Sequence, residues 1–219
     1  MHNRRQTIYF TFLCVLLGTA NAPRLLAQKG EVGAGAGGSF YSSRTVSSGG
    51  QEASTGFKHG FAAGGWIGQN MYRHLSGEIH YLFEKNDLKL SGGGSDVTFS
   101  AQSHAIHYDI LIHGAPIGAK VRPFVVVGGG VKGYRGTGTE TVVQPLSQFA
   151  LLTKTTDWKG LLTFGGGIKF AIGPRLFFRV EFRDYLTQFP EKVITPAKGA
   201  RIGGWIHNFV PAAGISFGF

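Results

Sequence analysis

The chain has 219 residues, of which 35 are Gly and 18 are Phe; 42% are apolar, and the formal charge is +10. This is material for one domain rather than two. The glycine load excludes a helical bundle, because each interior Gly costs a helix about 1 kcal/mol relative to Ala, and the lack of a triplet period excludes collagen. No Lys/Arg run of the kind that nucleic-acid arms carry is present, so no nucleic-acid partner is expected.

The first element is a targeting segment. Residues 2–5 (HNRR) are basic, 7–17 are apolar but too short to span a bilayer as a helix, and 18–22 are small. That order is the pattern of a secretory signal peptide. It is expected to occupy residues 1–27, with cleavage after Ala22 or after Ala27, leaving 28–219 as the functional domain. Cys14, the only cysteine, would leave with it, so stability must come without a disulfide. The charge would fall to +7, with 19 basic and 12 acidic residues remaining.

Eight later segments alternate in character and are predicted as strands: 30–41, 57–68, 73–84, 98–113, 121–133, 158–172, 175–185 and 205–219. No later stretch has the roughly 18 apolar residues of a transmembrane helix. The connections alternate in length. Long polar ones, 42–56, 85–97, 134–157 and 184–204, are separated by short ones around Gln69-Asn70-Met71, Gly114-Ala115-Pro116 and Gly173-Pro174. Long loops at one end and short turns at the other are the signature of a transmembrane β-barrel.

The faces agree. In the seventh segment Leu176, Phe178, Val180 and Phe182 share one side and Arg175, Arg179, Glu181 and Arg183 the other. The third segment splits likewise, with Leu75, Ile79, Tyr81 and Phe83 against Glu78, His80 and Glu84, and the fourth sets Ile106, Tyr108, Ile110 and Ile112 against His107, Asp109 and His113. The predicted fold is therefore all-β: a closed, antiparallel, up-and-down transmembrane barrel of eight strands, apolar outside. Closure leaves no unpaired backbone edge in hydrocarbon. Glu31, Lys58, Glu78, Asp109, Arg122, Lys132, Lys169, Arg179, Glu181 and Arg183 are expected inside, paired as a plug, because eight strands leave room only for side chains.

Three passages carry a family resemblance: residues 176–185 (LFFRVEFRDY), with an R-x-E-x-R inward face; Arg122-Pro123-Phe124 followed by Gly128-Gly129-Gly130; and the ending Ile215-Ser216-Phe217-Gly218-Phe219. Together they resemble the small outer-membrane β-barrel proteins of the OmpA/OmpX-like kind. The resemblance implies residence in the bacterial outer membrane, among outer-membrane lipid and lipopolysaccharide. It also implies recognition of Ile215, Phe217 and Phe219 by the barrel-assembly machinery. The function expected is structural or interactive, through extracellular loops, and not enzymatic. A narrow porin-like channel and a lipid-modifying enzyme are the alternatives.

Several motifs invite other chemistry. Gly33, Gly35, Gly38 and Gly128, Gly130, Gly133 match G-x-G-x-x-G, but no helix follows to hold a pyrophosphate, so no cofactor is expected. His104 and His107 suggest a metal pair, but an odd spacing on a strand puts them on opposite faces, so no metal is expected. His74 and Ser76 have the spacing of a base and a hydroxyl nucleophile, near a short turn. Residues 145–152 (PLSQFALL) are apolar for a loop and are expected either to pack on it as a short helix or to anchor a partner. Trp66, Trp158 and Trp205 are expected in an interfacial girdle.

Overall fold

The computed structural model describes residues 29–141 and 143–219; the signal-peptide segment lies outside them. Eight strands close into one antiparallel ring: β1 (Gly30–Tyr41), β4 (Gly60–Tyr72), β5 (Leu75–Lys85), β8 (Ala101–His113), β9 (Val121–Gly136), β11 (Thr156–Ala171), β12 (Leu176–Gln188) and β14 (Trp205–Gly218). Each barrel strand pairs with its neighbour in the chain, and β14 returns to β1. At the seam the Gly30 amide donates to the Phe219 carbonyl at 3.0 Å and the Phe219 amide to the Gly30 carbonyl at 2.9 Å. A row of paired residues followed around the ring from Phe40 arrives at Gly30, a stagger of ten residues. This is the shear that closure of tilted strands requires.

The alternation of side chains across the pleat fixes which face is which. Ile79, Tyr81, Ile106, Tyr108, Val125, Val127, Leu162, Phe164, Phe178, Val180 and Phe182 are exposed on the outside. Their inward neighbours are buried and largely polar or charged. Two glycines show how a narrow ring accommodates large inward groups. A Cβ at Gly33 would lie 2.4 Å from the Trp66 ring, and one at Gly128 would lie 2.0 Å from the Asp109 carboxylate.

The long connections are not loose loops. The first folds into β2 (Arg44–Ser48) and β3 (Gln51–Phe57), and the second into β6 (Leu88–Gly92) and β7 (Ser95–Phe99). These four strands form one sheet in the order β2-β3-β6-β7. The third and fourth connections pair through β10 (Ala150–Leu152) and β13 (Ile194–Pro196). Val46, Phe57, Leu88, Leu90, Phe149, Leu152, Val193 and Ile194 bury their side chains between these elements and the barrel mouth. The largest apolar cluster thus caps the long-loop end. Residues 145–152 join it through Phe149, Ala150 and Leu152; they form turns and a strand instead of the helix expected.

Three sequence expectations are corrected. The turn placed at Gln69-Asn70-Met71 lies at Arg73-His74, because β4 runs on to Tyr72. Lys58 is exposed rather than internal: β3 ends at Phe57 and β4 starts at Gly60, so Lys58 sits in a break where strand parity no longer applies. Trp66 is not a girdle residue. It faces inward and donates from Nε1 to Glu31 at 3.2 Å, whereas Trp158 and Trp205 are exposed.

A cap with its own core should melt separately from the ring. Leu88→Ala removes a fully buried side chain from that core, a change that costs about 2–5 kcal/mol in such a setting. We expect faster protease cleavage within the long connections, while the heat-modifiable gel mobility of the barrel is retained.

Candidate functional site

The barrel interior holds three polar clusters, with the apolar cluster of Ala62, Leu82, Ala105, Leu161, Tyr185 and Val210 among them. At its centre Glu78 (β5) accepts from Arg179 Nη1 at 3.0 and 2.8 Å and from Lys169 Nζ at 3.0 Å. Lys169 (β11) also reaches both carboxylate oxygens of Glu31 (β1) at 3.0 Å. On β12, Arg179 and Arg183 flank Glu181, each donating to its Oε2 from Nε at 3.0 Å. Arg183 continues to Asp109 (β8), which also bonds His107 Nδ1 at 2.8 Å. The Arg179 guanidinium lies between the Trp66 and Phe124 rings, 4.7 Å from each centroid, where cation–π attraction adds to the ion pairs.

A second cluster sits higher. Lys132 (β9) meets Glu84 (β5) at 2.5 Å. Glu84 further accepts from Ser39 at 2.8 Å, Tyr41 at 3.0 Å, Ser103 at 2.6 Å and the Asn208 amide. The Lys132 ammonium lies 5.0 to 5.5 Å from the centroids of the Tyr41, Tyr134 and Tyr185 rings. Tyr41 and Tyr134 are also part of the apolar cluster of the cap. At the short-turn end, Arg122 donates to Asn70 Oδ1 at 3.1 Å and to the Ala115 carbonyl at 3.2 Å.

The structure thus brings together Glu31, Glu78, Asp109, Arg122, Lys132, Lys169, Arg179, Glu181 and Arg183, all buried, and leaves out Lys58. Glu84 takes its place. The exchange matters: Glu31, Glu78, Glu84, Asp109 and Glu181 each form an ion pair with one or more of Lys132, Lys169, Arg179 and Arg183, while Arg122 is held by Asn70 and the Ala115 carbonyl and Asp157 pairs with Lys159 at 3.2 Å. Buried charge is tolerable only when compensated. Glu84 and Lys132 each lie on the inward parity of their own strand, but their pairing is not legible in the sequence, because the contact crosses 48 positions.

The candidate catalytic pair does not form. His74 is exposed in the turn, its Nδ1 on the His113 carbonyl at 2.8 Å. Ser76 is buried and bonds His113 Nε2 at 2.8 Å. The serine thus meets the imidazole of another strand and not that of His74. Ser76 Oγ also donates to Asn70 Oδ1 at 2.9 Å, which in turn accepts from Arg122. His104 and His107 face opposite sides: His104 bonds the exposed Tyr81 hydroxyl at 2.8 Å, whereas His107 is interior.

The outer face carries one group that strand reading missed. Asp184 has the parity of Phe182 and Val180, so it points outward, yet only 5% of it is exposed. Its Oδ2 meets His207 Nδ1 at 2.6 Å. Lower on the same face of β14, Ile215, Phe217 and Phe219 project outward beside the β1 seam.

Removing one partner of the central cluster should be costly. Glu78→Gln leaves Lys169 and Arg179 without their shared carboxylate and is expected to lower stability by about 3–5 kcal/mol. Lys58→Gln should stay within about 0.5 kcal/mol of the parent. Urea unfolding of the refolded barrel in micelles reads both.

The model of the family described as "Outer membrane protein beta-barrel domain" matches residues 10–209. Among solved structures, Neisserial surface protein A superposes with a TM-score of 0.56 at 13% identity, covering 87% of this chain and 97% of that one. The outer membrane protein OprG from Pseudomonas aeruginosa gives 0.57 at 11% identity, covering 88% and 97%. No curated protein matches the chain. At such identities the structural likeness speaks for the fold, and the family match speaks for the setting. An eight-stranded ring with an apolar belt, an ionic interior and alternating short and long connections belongs, with this match, to the outer-membrane β-barrel domain family, whose place is the bacterial outer membrane.

Proposed function

We propose that the protein is a sealed barrel that serves the outer membrane structurally and presents its capped extracellular end for interaction, without catalysing a reaction. The observation that carries this reading is the interior itself. Five carboxylates and four cations form ion pairs within the lumen, and the Tyr41, Phe57 and Tyr134 rings close over them, with ring centroids 4.6 and 5.1 Å apart. A solute crossing this barrel would have to displace ion pairs in a low-dielectric interior and then part an apolar core. Both are costly, which disfavours the porin-like alternative. The lipid-modifying alternative loses its one sequence candidate, since His74 and Ser76 do not meet.

In this reading the first 27 residues export the chain as a signal peptide. The exposed aromatic and aliphatic belt takes outer-membrane lipid and lipopolysaccharide as its partners, with Trp158 and Trp205 at the upper interface. Ile215, Phe217 and Phe219 offer the barrel-assembly machinery an outward apolar edge on the strand that completes the ring.

Two measurements test these roles. Purified protein in planar bilayers is expected to give no stable open level above background; a reproducible conductance would overturn the sealed interior. Phe219→Ala is expected to reduce the heat-modifiable, membrane-inserted fraction in cells, while protein refolded in detergent keeps the parent mobility. An unchanged inserted fraction would remove the assembly role.

A further inference from the structure

The outward face of β12 reads Leu176, Phe178, Val180, Phe182 and then Asp184. In its paired row Asp184 lies between Phe164 and Phe209, both exposed to lipid. Strands rise about 3.3 Å per residue and tilt about 45° in such barrels. Asp184 therefore stands about 19 Å above Leu176, near the outer edge of an apolar belt roughly 25 Å tall. His207, paired with Leu186, lies about 5 Å higher. An ionisable group on the lipid face is expensive and points to function by default.

The local geometry says which function. Asp184 Oδ2 holds His207 Nδ1 at 2.6 Å, and its Oδ1 is buried without a hydrogen-bond partner. The imidazole stacks on Phe209 (5.7 Å, 13°), which stacks on Phe182 (5.9 Å, 16°). The ring is fixed from two sides, and its second nitrogen, Nε2, has no protein hydrogen bond. Ser42 lies across from His207: the Ser42 amide donates to the His207 carbonyl at 2.9 Å, and the His207 amide donates to Ser42 Oγ at 3.0 Å. Ser42 Oγ thus already serves as an acceptor, and its own hydroxyl proton is left to give. Two donors, Ser42 O–H one residue beyond the end of β1 and His207 Nε2–H in the charged form of the ring on β14, stand side by side in the register that pairs Tyr41 with Asn208. Directly opposite residues have Cβ atoms about 5 Å apart, close enough for both donors to reach one anionic group. The apolar Phe182–Phe209 wall lies immediately below, where an acyl chain would run.

We propose that Ser42 and His207 bind the phosphate of one outer-leaflet lipid, with Asp184 as the positioning residue that orients the imidazole. The proposal rests on the reading of outer-leaflet lipid as a partner and names the side chains that hold it. The imidazole bridges two anions: Nδ1–H to Asp184 and Nε2–H to a phosphate oxygen, to which Ser42 adds a second bond. The depth favours a lipid over a soluble anion, since His207 sits where headgroups meet the belt.

The test uses the full mature chain refolded in detergent micelles, with diphosphorylated lipid A as probe and its dephosphorylated form as control. Native mass spectrometry reads the bound fraction. One phosphorylated lipid A per barrel is expected to be retained. His207→Ala should reduce retention about tenfold and Ser42→Ala by a smaller factor, in line with the loss of a charge-assisted and a neutral hydrogen bond. Asp184→Asn should erase the preference for the phosphorylated over the dephosphorylated form while gel mobility and far-ultraviolet spectrum stay unchanged, an effect that a purely structural Asp184 would not have. Equal retention of both lipids by the parent, unchanged retention by His207→Ala, or displacement of the lipid by millimolar inorganic phosphate would each overturn the proposal. Ser42→Ala, at the rim, keeps the test decisive if either other variant fails to fold. Failure here leaves the sealed-barrel reading standing or falling on conductance alone.

Discussion

Closure of eight strands into a ring leaves a lumen that only side chains can fill, and inward charges must be compensated there. The rest of the molecule follows from that requirement. Glu78 serves two cations at once, Glu181 is shared by two arginines, and Arg183 reaches across to Asp109. Such sharing is what a narrow interior permits: each carboxylate has several acceptor sites and each guanidinium a fork of donors, so one group can compensate several opposite charges. Glu84 is tied at once to Lys132 and to Ser39, Ser103 and Tyr41. It is the point where the ionic interior meets the aromatic layer above.

That aromatic layer joins two different kinds of packing. Below it, directional bonds between charges hold the strands in register, and a shift of one residue would turn the whole set outward. Above it, Leu88, Leu90, Leu152 and Ile194 pack as in a soluble protein. The cap faces water and is stabilised by the hydrophobic effect. The transmembrane wall has lipid on one side and gains little from burying its outer face, so its order depends on hydrogen bonding and on the interior. The cap's sheets can therefore change at their solvent side without disturbing the ladder that holds the ring.

Strand parity made most of the ring legible. The predicted first segment coincides with β1, and the outward positions of β5, β8 and β12, such as Ile79, Ile106 and Phe182, follow from alternation. Parity fails where the chain leaves the pleat. Lys58 was counted inward because β4 was extended back through a two-residue break. Trp66 was assigned to the interface because Trp commonly resides there, although the even face of β4 turns it inward. The cap was invisible for another reason: its strands are short, polar on one side, and pair between connections far apart in sequence, as β3 does with β6 and β10 with β13. No local period announces such pairing.

Asp184 shows the same limit at the scale of a site. In the sequence it follows Arg183 and reads as one more charge of the R-x-E-x-R strand. Its parity alone sets it on the lipid side, and parity would have flagged it as an anomaly. What parity cannot supply is the partner. His207 is 23 residues away and enters only because β14 runs beside β12 with Leu186 opposite His207. Glu78 poses the converse case. Its inward position could be read locally, whereas its pairing with Lys169 and Arg179 depends on the lumen being narrow enough for side chains of nearly opposite strands to meet. Ring size is thus the quantity that turns a list of inward charges into a plug. With more strands the same residues would line a water-filled channel, and the reading of function would reverse without any change in the strands' alternation.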